Sequence, residues 1–139
     1  MYEHALATLA MIEAYGFRPT KRMRQSVQNA VDLIVKSQSP SGGWRYQPVP
    51  KNQDLSVTVM QIVALRAAQN ARLHVPEKTM QNAQKYVEAC HKKGGFAYRR
   101  GRGPSMAPTA AGVLSMHLLG AFDSPKVKKA LQRLAKRKN

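Results

Sequence analysis

Gly42-Gly43-Trp44-Arg45-Tyr46 and Gly94-Gly95-Phe96-Ala97-Tyr98 are two versions of one Gly-Gly-aromatic-x-Tyr loop, set 52 residues apart. Carried outward, the same offset aligns Leu9 with Gln61 and Val113, Ala10 with Ile62 and Leu114, and Gly16 with Ala68 and Gly120. It also brings Val31 onto Ala83 and Ala135, and Ile34 onto Tyr86. Between the loops the apolar residues recur at helical spacing. The expected helices run over 2–15, with Gly16 as a C-terminal cap, then 21–38, and then from an N-cap at Asp54 to Ala71. The next three run from Pro76-Glu77 to Cys90, from Pro108 to Leu119 with a stop at Gly120, and from Ser124 to Lys136. The segment 92–107 reads as a second loop. An isolated helical hairpin cannot bury its apolar face, whereas stacked hairpins can. The expectation is an all-α chain, about three hairpins and six helices forming an arc. Its odd helices, rich in Ala, Gly and Thr, would be innermost, and the even ones outermost.

Composition narrows the class. Of 139 residues, 43% are apolar, enough for one core. The single cysteine, Cys90, cannot close a disulfide within the chain. No apolar run reaches the length of a membrane span, and no basic-then-apolar leader opens the sequence. A soluble protein of a reducing compartment, the cytoplasm, is expected. Lys and Arg number 23 against 7 Asp and Glu, a net charge of +16. The excess gathers in Arg99, Arg100 and Arg102, and in the segment 123–139, with Lys128, Lys129, Arg133, Lys136 and Arg137. There Val127, Ala130, Leu131 and Leu134 form a stripe between the charges, so this segment reads as a basic amphipathic helix. Such clusters attract polyanions, nucleic acid or acidic lipid, without reading a sequence. A merely solubilising surface is the plainer reading.

Gln38-Ser39-Pro40-Ser41-Gly42-Gly43-Trp44 resembles the Gln-to-Trp repeat motif of squalene cyclases and protein prenyltransferase β subunits. Three further stretches resemble bacterial proteins with prenyltransferase/squalene-oxidase repeats: 2–8, Asp54-Leu55-Ser56-Val57-Thr58 with Gln61, and Gly94–Tyr98. The resemblance covers residues 1–122 and implies an α/α toroid around an apolar cavity, whose natural ligand is isoprenoid-like. In that setting Gln38, Gly43, Trp44, Tyr46, Gly95, Phe96 and Tyr98 hold the repeats together. His4, Asp54, Ser56 and Gln61 are the candidate ligand-binding residues.

The departures from the family argue against catalysis. Cyclases of this type need an Asp-x-Asp-Asp acid, and no two of the acidic residues here lie closer than ten positions. Prenyltransferases hold zinc with Asp, Cys and His. Here Asp54 stands at the first position, Ser56 replaces the cysteine, and Pro108-Thr109 falls where the histidine belongs. No catalytic residue, metal or cofactor is therefore assigned. Glu3 and His4 make a poor acid–base pair because neighbours on a helix point about 100° apart. Cys90-His91 is an equally poor metal site. Three hairpins are fewer than a closed toroid needs, so either the chain is part of a larger toroid, the favoured reading, or copies of it complete the ring. An apolar or isoprenoid-like ligand, or a protein segment, would occupy the concave side. The alternative is a basic helical-repeat protein for nucleic acid or anionic membrane surfaces.

Overall fold

The computed structural model describes residues 1–48 and 51–136. The chain is all-α, with six helices among the described residues: α1 (Tyr2–Phe17), α2 (Lys21–Lys36), α3 (Leu55–Asn70), α4 (Glu77–Ala89), α5 (Met106–Leu118) and α6 (Pro125–Ala135). The odd helices pack side by side, α3 between α1 and α5. The even helices lie against them, α2 on α1 and α3, α4 on α3 and α5, and α6 on α5. Composition explains the arrangement. Helix α3 has one Arg and no other charge, and buries nine residues, among them Leu55, Ile62 and Leu65. The even helices each carry one apolar stripe, such as Val27, Val31 and Ile34 on α2, and are held in place by one-sided burial.

Each Gly-aromatic loop is latched to the odd helix that follows it. Trp44 N donates to Thr58 Oγ1 (3.1 Å), which itself donates to Asp54 O (2.7 Å), while Trp44 O accepts from Asp54 N (3.2 Å). The second loop repeats this. Phe96 N donates to Thr109 Oγ1 (3.1 Å), that hydroxyl donates to Ser105 O (2.6 Å), and Phe96 O accepts from Ser105 N (3.3 Å). The backbone groups of both aromatic residues thus find partners even though Trp44, Phe96, Thr58 and Thr109 are fully buried. The tyrosines close the joint from the other side. Tyr98 O accepts from Leu55 N (2.9 Å) and Tyr46 O from the Met1 amino group, at the first turns of α3 and α1.

The latch corrects the repeat length. Thr58 pairs with Thr109, an offset of 51, because the second loop is one residue shorter. Gln61 is therefore the counterpart of Gly112 and not of Val113. At the other end, Leu73 N bonds Ala68 O (2.9 Å) and Ala121 N bonds Met116 O (2.8 Å), each across a residue with positive φ: Arg72 at 57° and Gly120 at 80°. Gly120 thus matches Arg72, and α5 is one turn shorter than α3. Gly16 is not a cap. Helix α1 runs through it to Phe17 and stops at Arg18 (φ −144°), because Pro19 disfavours helical backbone in the residue before it. Pro76 caps α4 from outside rather than opening it. A two-residue antiparallel ladder, His91–Lys92 with Gly95–Phe96, spans the start of the loop expected at 92–107 and is joined by Lys93 and Gly94 at φ 48° and 74°.

Gly112 is where backbone and side chain meet most closely. A Cβ there would lie 2.2 Å from Cγ of the Phe96 ring, which is fully buried. Alanine would gain about 1 kcal/mol of helix propensity over glycine, against an overpacking cost of about 1–3 kcal/mol. Since the ring is held by the latch on its own backbone, Gly112→Ala is expected to lower stability, by up to about 2 kcal/mol, in a urea melt. A more stable variant would show that the Phe96 ring moves aside without cost.

Candidate functional site

Thr8 Oγ1 donates to His4 O (2.7 Å) as Thr58 and Thr109 do to their own helix starts, and helical spacing from these three threonines gives each odd helix a further side, away from its neighbours in the layer. On α1 it carries Leu6, Ala10 and Glu13, on α3 Ser56, Met60, Val63 and Ala67, and on α5 Ala107, Ala111 and Leu114. None of these residues is buried, and Leu6 and Leu114 are 44% and 46% exposed. An apolar stripe open to solvent thus crosses all three helices.

At one end of the stripe lies a pocket of about 330 Å³, lined by Tyr2, Ser56, Val59, Met60, Tyr98, Ala107, Pro108 and Ala111. Its wall is made by the first turns of α3 and α5, and its rim by the loop tyrosine. Tyr46 meets Tyr98 there: interaction with the Tyr98 hydroxyl raises the Tyr46 phenol above its ordinary value. Each tyrosine has an arginine against its ring, Arg45 at 5.6 Å from Tyr46 and Arg99 at 5.6 Å from Tyr98. The pocket lining is apolar apart from Ser56, Tyr2 and Tyr98.

Of the four candidate ligand residues, only Ser56 lines the pocket. Its hydroxyl donates to Asp54 Oδ1 (2.7 Å). Asp54 is fully buried and caps α3, with Oδ1 accepting from Val57 N (2.9 Å), and its Oδ2 lies 3.7 Å from Arg45 Nε. Gln61 is fully buried and donates to Met1 O (2.8 Å), joining α3 to α1. His4 Nε2 bonds Ala30 O (2.9 Å), joining α1 to α2. All three bond backbone groups and so cap or join helices, while Asp54 Oδ2 and Gln61 Oε1 are buried without a hydrogen-bond partner. Ser56 and Pro108 share the pocket, with Asp54 bonded to Ser56. Among the described residues, no three His, Cys, Asp or Glu side chains cluster as a metal would need.

The repeat-motif residues sit at the joints. Gln38 Nε2 donates to Gly42 O and to Thr79 O in the first turn of α4 (2.9 Å each), and Trp44 Nε1 to Ile34 O (2.8 Å). Gly43 and Gly95 play matching parts, since a Cβ would meet the Tyr86 ring or Arg133 Cδ at 2.9 Å. Burial pushes the Cys90 thiol up and the Tyr86 phenol further up, so neither is poised to ionise.

The basic residues divide into two groups. Arg99 and Arg100 fold onto tyrosines, Arg100 at 5.7 Å from the Tyr86 ring, and Arg102 is exposed in its loop. Lys129, Arg133 and Lys136 instead line a groove of about 350 Å³ with Gln132, Gly94 and Lys93, a residue missed in the sequence beside its neighbour Lys92. Lys128 lies 3.9 Å from Asp123, and Arg137 is outside the described residues. No described helix is long and apolar enough to cross a membrane. No protein-family model, curated protein or solved structure matches the chain.

His91 packs edge-on to Phe96 at 5.2 Å, and its Nε2 is buried without a partner. Burial lowers its pKa first, and Lys126 and Lys129 lower it further. Between that depressed value and the ordinary value of about 6.5, the unfolded chain holds a proton that the native chain refuses. Stability should therefore rise with pH through this window and fall on acidification. Glu88 responds at more acid pH. Its hydrogen bond from Lys126 (2.8 Å) holds its carboxyl low, so that contribution is lost only as Glu88 itself is protonated. His91→Phe keeps the ring contact and should flatten the dependence of Tm on pH from about 7.5 to 5.5. An unchanged slope would remove His91 as its source.

Proposed function

We propose that the chain is a non-catalytic α/α-repeat module of the squalene cyclase and prenyltransferase type, three hairpins of a toroidal arc. It holds an apolar, isoprenoid-like chain on the concave side of its odd helices. The observation that carries this reading is the solvent-open apolar stripe of α1, α3 and α5 ending in the pocket under Tyr98. Soluble proteins seldom leave such a patch without use, and the pocket lies at the lower end of the volume range of ligand sites. The chemistry at its wall favours holding over turnover. Ser56 replaces a thiolate, Pro108 offers no ligand, and Asp54 is committed to capping α3. Arg99 lies against the ring of Tyr98, which lines the pocket, and suits an anionic head, so a prenyl diphosphate matches both ends of the site.

Calorimetry with farnesyl diphosphate, farnesol and pyrophosphate tests this directly. Farnesyl diphosphate should bind, and Ala107→Trp, at an exposed lining position, should weaken it about tenfold or more, equal to about 1.4 kcal/mol. Arg99→Ala should weaken the diphosphate more than the alcohol. Binding that ignores Ala107→Trp would overturn the assignment of the pocket.

The groove of Lys93, Lys129, Arg133 and Lys136 favours a second reading, non-specific polyanion binding. Lys129→Ala with Lys136→Ala should lower the salt slope of duplex DNA binding by about 0.9 for each phosphate that the variant no longer neutralises. An unchanged slope would exclude the groove.

A further inference from the structure

The two ends of the odd-helix layer are unlike each other and both are open. Helix α3 defines the two sides of a junction. Its side toward α1 carries Val57, Gln61, Ala64 and Ala68, all buried, with Gln61 bonded to Met1 O. Its side toward α5 carries Val59, Ile62 and Arg66, with Arg66 Nε donating to Leu118 O (2.5 Å). The Thr latches carry these positions onto the other helices. The counterparts of Val57 and Ala64 on α5 are Pro108 and Ser115, and Ser115 is buried against the layer. On α1 they are Ala7 and Ala14, and both are exposed. The counterparts of Val59 and Ile62 on α5 are Ala110 and Val113. Together with Leu114, His117, Phe122 and Leu131 they line an open groove of about 600 Å³ between α5 and α6. Phe122 and Leu131 are 52% and 49% exposed.

Helix α1 is apolar nearly all round, a composition that belongs to a covered helix, yet only Ala5, Thr8 and Ile12 are buried. The surface it leaves open is therefore the one that Val57 and Ala64 present to α1 within the chain. The α5–α6 groove is the one that Val59 and Ile62 present to α5.

We infer that the chain associates head to tail, the α1 face of one copy seated in the α5–α6 groove of another, by the packing that already joins its own hairpins. The contact is heterologous, so it leaves one free face of each kind at the ends and continues until a ring closes or a filament grows. Association extends the apolar stripe from one copy into the next.

Sedimentation of the full chain with two single variants tests the inference. Ala14→Arg blocks only the head and Ala110→Arg only the tail, both at exposed positions. Wild type should self-associate with rising concentration, and each variant alone should sediment as one chain. An equimolar mixture should form a discrete heterodimer through the one intact pair of faces. Ala7→Arg and His117→Arg replace either variant if its helical circular dichroism falls. A wild type that stays monomeric at all concentrations overturns the inference, whether or not another partner covers the groove. So does a dimer abolished by the tail variant but not the head variant, since that contact would be symmetric.

Discussion

One hydroxyl in each repeat joins a loop to the helix that follows it. Thr58 Oγ1 accepts from Trp44 N and donates to Asp54 O, and Thr109 does the same for Phe96 and Ser105. The loop has to turn sharply enough to bury an aromatic ring, which strips its backbone of water. A buried N–H without a partner costs about 1–3 kcal/mol, so the threonine decides whether the turn can exist at all. Once it does, Trp44 and Phe96 are fixed over the odd helices and the glycines before them let Tyr86 and Arg133 come close. The tyrosines after them then reach the start of the preceding odd helix. Three hairpins become one body through these joints.

The same joints place the chemistry. Because Tyr98 O is held by Leu55 N, the Tyr98 ring stands over the first turns of α3 and α5, where the apolar pocket opens. Because Tyr46 follows the equivalent latch, it arrives beside Tyr98, and each brings an arginine. Polar groups deeper in the fold are occupied by structure: His4, Asp54 and Gln61 tie or cap helices. The pocket under Tyr98 is lined mostly by apolar side chains, and Asp54, bonded to Ser56 at its edge, is buried as the cap of α3.

Much of the fold can be read from residues in order. The paired Gly-Gly-aromatic loops, the helical periodicity, the cap at Asp54 and the stop at Gly120 all follow from local preferences, which act within a few residues. The misreadings are also local in origin. Gly16 has the look of a cap, but Pro19 ends the helix further on. A constant offset of 52 hides the residue missing from the second loop, and so pairs Gln61 with Val113. The candidate site is much less legible. Polar residues near family motifs draw attention, whereas Val59, Met60, Ala107 and Ala111 carry no mark that distinguishes a pocket wall from a core.

What the sequence determined by itself was the class of fold, the presence of a repeat, the approximate extent of its helices and its large positive charge, since each depends on neighbouring residues or on composition. The tertiary structure decided which apolar residues lie inside. Helices α1, α3 and α5 have similar compositions, yet α3 buries nine residues and α1 three, because α3 has a neighbour on each side and α1 has one. It also decided which charges act together, drawing Lys93 into a groove with Lys129, Arg133 and Lys136 while turning Arg99 and Arg100 onto tyrosine rings. Burial and field depend on distances through space, and a linear chain does not contain these until its hairpins have stacked.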